Sequence, residues 1–95
     1  MKSREFLSEE QNVDAKMNAE IECEFKLLDI VEGYVIGGFE ETNYSYFKED
    51  LRIWKPMFVE GASDEVLEVF RDLFNSTPEN WQQVLQKALS FVYAM

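Results

Sequence analysis

Residues 21–33 read IECEFKLLDIVEG, and their reading decides the fold because two periodicities compete within them. Ile21-Glu22-Cys23-Glu24-Phe25-Lys26-Leu27 alternates apolar and charged residues at period two, the pattern of a half-buried strand. In a longer window, Val13, Met17, Ile21, Phe25, Leu28 and Val31 recur at three and four residues and share one helical face. A strand would place Glu22, Glu24 and Lys26 outside, whereas a helix brings Glu24 near the apolar stripe. A hairpin turning at Glu32-Gly33 would set Asp29 with Val31 and Tyr34, and Lys26 with Val35 and Phe39, so neither of its faces is clean. The helical reading is preferred. Ser8 and Gln11 are spaced as its capping box, and Gly33 stands where it would stop. A hairpin within residues 19–40, giving an α+β fold, is the alternative.

Outward from that stretch the pattern is helical. Tyr44, Phe47, Leu51 and Trp54 predict a second helix between Thr42 and Lys55, capped by Thr42 or Asn43. Pro56 should stop it, because a residue before proline is pushed out of helical geometry, and Met57–Ala62 should be a connection. A third helix should open at Ser63 or Asp64, with Asp64 and Glu65 at its positive end. Val66, Leu67, Val69, Phe70, Leu73 and Phe74 give it a wide apolar face. Asn75-Ser76-Thr77 closes it, and Thr77-Pro78-Glu79 starts the last helix, whose stripe is Trp81, Leu85, Ala88, Leu89 and Val92, widened by Val84 and Phe91. Gly37-Gly38 reads as a tight connection. The expectation is a mostly α, small four-helix bundle forming a single domain over residues 1–95.

Composition limits the chemistry. The 95 residues hold 9 Lys+Arg against 19 Asp+Glu and no His, a formal charge of −10, with 46% apolar and 15% aromatic residues. That is enough apolar surface to fold. Without His there is no Ser/His/Asp triad and no His-based metal site, and one cysteine excludes an internal disulfide. The longest uncharged apolar stretch, Tyr34–Phe39, is far shorter than the roughly 20 residues that span a bilayer. The amino terminus lacks the apolar centre of a secretory signal, which with the lone thiol predicts a cytoplasmic location. Direct binding to nucleic acid or anionic membrane is disfavoured, since both need a positive surface.

The acids are concentrated. Residues 1–50 carry 13 acidic and 5 basic residues, and the stretch from Glu20 to Asp50 has nine acids against Lys26 and Lys48. Cys23 between two glutamates is a poor nucleophile and a good core filler. The pairs Glu40-Glu41 and Glu49-Asp50 have no pocket signal for acid–base work, and the acids lack the spacing of a calcium loop. No catalytic residue, cofactor or metal is therefore assigned. If Glu40–Trp54 is helical, Phe47 and Leu51 point inward and Thr42, Tyr46, Glu49, Asp50 and Ile53 outward. An exposed tyrosine ringed by carboxylates offers rigid contact area and acceptors for Arg and Lys. Trp54 and Trp81 are read as core, and Tyr34 as a weaker interface candidate.

A helix ending Leu27-Leu28-Asp29-Ile30-Val31-Glu32-Gly33, followed by Val35 and by Phe39 opening another helix, resembles the first helical hairpin of small bacterial immunity proteins of the colicin D type. The run Ser63-Asp64-Glu65-Val66-Leu67-Glu68-Val69-Phe70-Arg71-Asp72-Leu73-Phe74 is similar to their third helix. The resemblance implies a helical bundle whose acidic face plugs the basic active site of a nuclease toxin. The functional expectation is a non-catalytic acidic inhibitor of a basic, nucleic-acid-handling protein, with Glu22, Glu24, Glu40, Glu41, Tyr46, Glu49 and Asp50 as the partner-binding set. Alternatives are a phage-type nucleic-acid mimic aimed at a host defence or transcription enzyme, and a homodimeric module with Val13, Met17 and Ile21 as its seam.

Overall fold

The computed structural model describes the backbone of residues 2–94 and the side chains of residues 16–94. It contains four helices, α1 (Lys2–Gly37), α2 (Glu41–Gly61), α3 (Asp64–Phe74) and α4 (Trp81–Ala94), and no strand among the described residues. Each helix packs on its neighbours in chain order, and α4 returns to α1, which closes a four-helix bundle. The competition within residues 21–33 is thus decided for helix. Cys23, Leu27, Ile30 and Val31 are buried, whereas the alternating strand set would have buried Ile21 and Phe25 beside them.

The buried face differs from the stripe read in the sequence. Met17, Ile21 and Phe25 are exposed, at 56%, 42% and 67%. The core strip instead runs through Cys23, Leu27, Ile30 and Val31, with Tyr34 packing at its edge. A period of four drifts around a helix of 3.6 residues per turn, so a line of residues at intervals of four slides off the core face. Ser8, Gln11 and Val13 belong to α1 by backbone, but their side chains lie outside the described residues.

Two expected helix stops do not stop. Gly33 is an ordinary helical residue, and α1 continues to Gly37 because Tyr34 and Val35 pack onto the core one turn further on. The chain turns at Gly38, whose φ of 92° suits only glycine. Pro56 lies inside α2. Its missing N–H and ring cost a helix about 3 kcal/mol, but continuing the helix buries Phe58 completely, stacked on Phe70 with ring centroids 4.4 Å apart. Burying such a ring returns about 1.5–3 kcal/mol, and Met57 packs there as well. Met57–Ala62 is therefore mostly helix.

The caps are only partly those expected. Glu40 occupies the N-cap of α2 without a side-chain cap bond, and Asn43 instead donates to the carbonyls of Gly37 and Gly38, both at 3.1 Å. Ser63 caps α3, its hydroxyl accepting from the Val66 N–H. Thr77 anchors the last turn by its backbone: its carbonyl accepts from Trp81 N–H, and its N–H donates to the Asn80 side chain at 2.7 Å. Trp81 is buried against Phe39, Tyr44 and Phe47, whereas Trp54 is only half-buried.

Candidate protein-binding face

Helices α1 and α2 are antiparallel neighbours. The Cys23 thiol donates to the Met57 carbonyl, Lys26 lies 4.0 Å from the Trp54 ring centre, and the Tyr34 hydroxyl donates to the Asp50 carboxylate. These three contacts fix the register along the pair. On the outer side of the seam is an open groove of about 510 Å³ lined by Glu22, Phe25, Lys26, Asp29, Trp54 and Met57. Beside it on α2, Tyr46, Glu49, Asp50 and Ile53 fall within one outward sector, as spacings of three and four require. Tyr46 and Ile53 are 67% and 60% exposed.

The expected partner-binding set is thereby divided. Tyr46, Glu49 and Asp50 come together on α2, whereas Glu22 lines the groove on the α1 side, level with the Met57 end of α2 and about 13 Å along the bundle from Glu49. Glu24 does not: two residues of helix carry it about 200° around α1 from Glu22, toward the α4 side. Glu41 sits on the opposite flank of α2 from Tyr46 by the same geometry. Glu40, extended at the α2 N-cap, stands at the end of the bundle. Sequence reasoning placed Phe25 in the core and passed over Asp29 as a contact residue, although both line the groove.

Within this face the acids differ in freedom. Glu49 has a solvent-exposed ion pair with Arg52 at 3.6 Å, and exposed Asp29 pairs at 3.7 Å with half-buried Lys26. Exposed pairs of this kind are worth about 0–1 kcal/mol and leave the carboxylates open to competition. Asp50 is half-buried and held by Tyr34, whose ring stands edge-on to Phe47 at 5.2 Å. Burial first, and then the Asp50 partner, push the Tyr34 hydroxyl pKa well up. Cys23 is fully buried, and burial followed by Glu22, Glu20 and Glu24 raises its thiol pKa, which keeps it inert.

The acids are not confined to one side. Helix α3 carries its own exposed strip, Asp64, Glu65, Glu68 and Asp72. What separates the two acidic surfaces is apolar content, because Phe25, Ile36, Tyr46 and Ile53 are exposed on α1 and α2, whereas α3 exposes no large hydrophobic side chain. Exposed aromatic and aliphatic anchors set among charges mark an interface better than charge alone.

Four of the nine cations share one side of the bundle. Lys48, Arg52 and Lys55 share one face of α2, and Arg71 of α3 faces them. Lys48 donates to the Phe74 carbonyl at the end of α3, and both Lys48 and Lys55 lie over the Phe74 ring, at 4.8 and 4.9 Å. Burial, and then neighbouring Arg52, lower the Lys48 pKa. The spacing Lys48, Arg52, Lys55 was visible in the sequence as a helical face and is the signal that charge totals concealed.

Among the described residues no group of three or more His, Cys, Asp or Glu side chains could hold a metal ion, and no helix is long and apolar enough to cross a membrane. No family model, curated protein or solved structure matches the chain.

Proposed function

We propose that this protein is a non-catalytic inhibitor whose α1–α2 face covers the basic, nucleic-acid-handling site of another protein. The observation that carries this reading is the exposure of Phe25, Tyr46 and Ile53 among the carboxylates of Glu22, Asp29, Glu49 and Asp50. The acids steer a cationic partner and offer acceptors to its Arg and Lys side chains, and the rings supply the buried anchors. Immunity to a nuclease toxin is the preferred form, on the resemblance of the Leu27–Gly33 and Ser63–Phe74 segments. A nucleic-acid mimic directed at a defence or transcription enzyme uses the same physics against a different target.

The test is capture with three baits: the unmodified protein, a face variant (Glu22→Lys, Tyr46→Ala, Glu49→Lys) and an α3 variant (Glu68→Lys, Asp72→Lys). The reading expects a basic nuclease or nucleic-acid-binding protein retained by the unmodified and α3 baits, released at high salt and lost from the face variant. The purified partner should also lose activity when the unmodified protein is added. Equal retention by all three baits, or a partner that stays fully active when bound, would refute the reading.

A further inference from the structure

Between α2 and α3 runs a second groove, of about 350 Å³, with Val59, Leu67, Phe70 and Phe74 on its floor and Lys55 and Arg71 at its rim. Lys48 and Arg52 continue the rim along α2. In a chain of net charge −10, Lys55 and Arg71 stand at this trough, with Arg52, paired to Glu49, and Lys48, bound to the Phe74 carbonyl, on the same side of the bundle. Its occupant should be an apolar segment flanked by acids.

The chain itself presents such a segment. Met17, Ile21 and Phe25 form an exposed line on α1 at intervals of four, with Glu20, Glu22 and Glu24 beside it. The line continues the face of α1 that α4 covers further along. Glu32, seven residues after Phe25, accepts from the Tyr93 hydroxyl of α4 at 2.7 Å. Helix α4 thus covers this face near Glu32, and Ile21 and Met17, further along it, are exposed among the described residues. The dimensions agree. Met17 to Phe25 rises about 12 Å along α1, and Leu67 to Asn75, the length of the groove wall on α3, rises about the same. Pairing two α1 lines with each other would instead bring glutamates against glutamates.

We infer that the α2–α3 groove receives the Met17–Ile21–Phe25 line of a second copy of this chain, so that molecules associate head to tail. The line crosses the outer face of α1, from the α4 flank at Met17 to the α1–α2 seam at Phe25, and the receiving groove lies across the bundle, between α2 and α3. The contact is therefore heterologous, and each bound copy leaves one free line and one free groove. The mode is helix-in-groove, with apolar anchors for affinity and opposite charges for register.

Complementation tests it in the absence of any other protein. A line variant (Ile21→Ser, Phe25→Ser) keeps the groove, and a groove variant (Lys55→Glu, Arg71→Glu) keeps the line; all four positions are exposed, so circular dichroism should show each variant as helical as the unmodified protein. In sedimentation equilibrium over a wide concentration range at low salt, the unmodified protein should grow beyond a dimer. Each variant alone should associate at least about tenfold more weakly, the size of a lost anchor. An equimolar mixture should form a 1:1 dimer and grow no further. An unmodified protein that stays monomeric overturns the inference. So does a groove variant that associates as strongly as the unmodified protein, which would indicate pairing of α1 with α1.

Discussion

At the scale of single residues, Tyr34 and Asp50 join the acidic face to the core, and the join has a measurable pH signature. The folded state holds the Tyr34 proton above the ordinary phenol value of 10.0. Below that value the folded and unfolded chains are both protonated, and the contribution is fully present. Above it the unfolded chain releases the proton first, so stability falls as pH rises toward the folded pKa. Urea unfolding of Tyr34→Phe should show a loss of about 1.5–3 kcal/mol at neutral pH, the worth of a hydrogen bond to a charged group. The same variant should show a shallower decline than the unmodified protein above pH 10. An identical alkaline decline would mean that Tyr34 does not hold its proton. Cys23 gives a second test: alkylation under native conditions should proceed only as fast as the protein opens and accelerate sharply in denaturant, because the thiol is buried and its pKa raised. The inert thiol was legible from its neighbours in sequence. Tyr34 was legible only as an aromatic, since its partner lies in another helix.

At the scale of elements, the helices were readable and two of their stops were not. Periodicity located the cores of α2, α3 and α4, and Ser63 announced its own cap. Gly33 and Pro56 were misread for one reason: local preference sets the cost of continuing a helix, and burial further along decides whether continuing is favourable. Tyr34 and Val35 carry α1 past Gly33, and Phe58 carries α2 past Pro56. Substitution tests this directly. A Cβ at Gly33 meets nothing within 4 Å, so Gly33→Ala should stabilise by about 0.5–1 kcal/mol. Pro56→Ala restores a helical N–H at an exposed site and should stabilise by about 1–2 kcal/mol, part of the penalty being offset by the looser unfolded chain. If the helices ended where the sequence suggests, Pro56→Ala would leave the urea midpoint unmoved. Phe58→Ala should cost about 3–5 kcal/mol, the range for a large ring removed from a packed core.

At the scale of the whole molecule, the organising fact is that charge and apolar exposure vary together. One acidic surface, along α1 and α2, carries rings and aliphatic side chains; the other, on α3, carries none that is large and exposed; and Lys55 and Arg71 border a separate apolar groove. Net charge predicted an acidic protein but not this partition, which arises from helix faces brought together in three dimensions. Self-repulsion among the acids should make the fold more stable as salt rises from low concentration, with the thermal midpoint increasing until screening is complete. A midpoint that falls with salt would assign the two exposed ion pairs more weight than their geometry allows.

Under the inhibitor proposal, the α1–α2 face, and not acidity in general, meets the partner. Asp50 is engaged with Tyr34, so the cleanest substitutions on that face are at exposed Glu22 and at Glu49, whose surface pair with Arg52 is loose at 3.6 Å. Stopped-flow association with the captured partner should be about tenfold slower or more for Glu22→Lys with Glu49→Lys, and the salt dependence should flatten. The charge-matched change Glu68→Lys with Asp72→Lys on α3 should alter the rate far less. Equal slowing by the two pairs would show that only net charge matters, and the assignment of the face would fall.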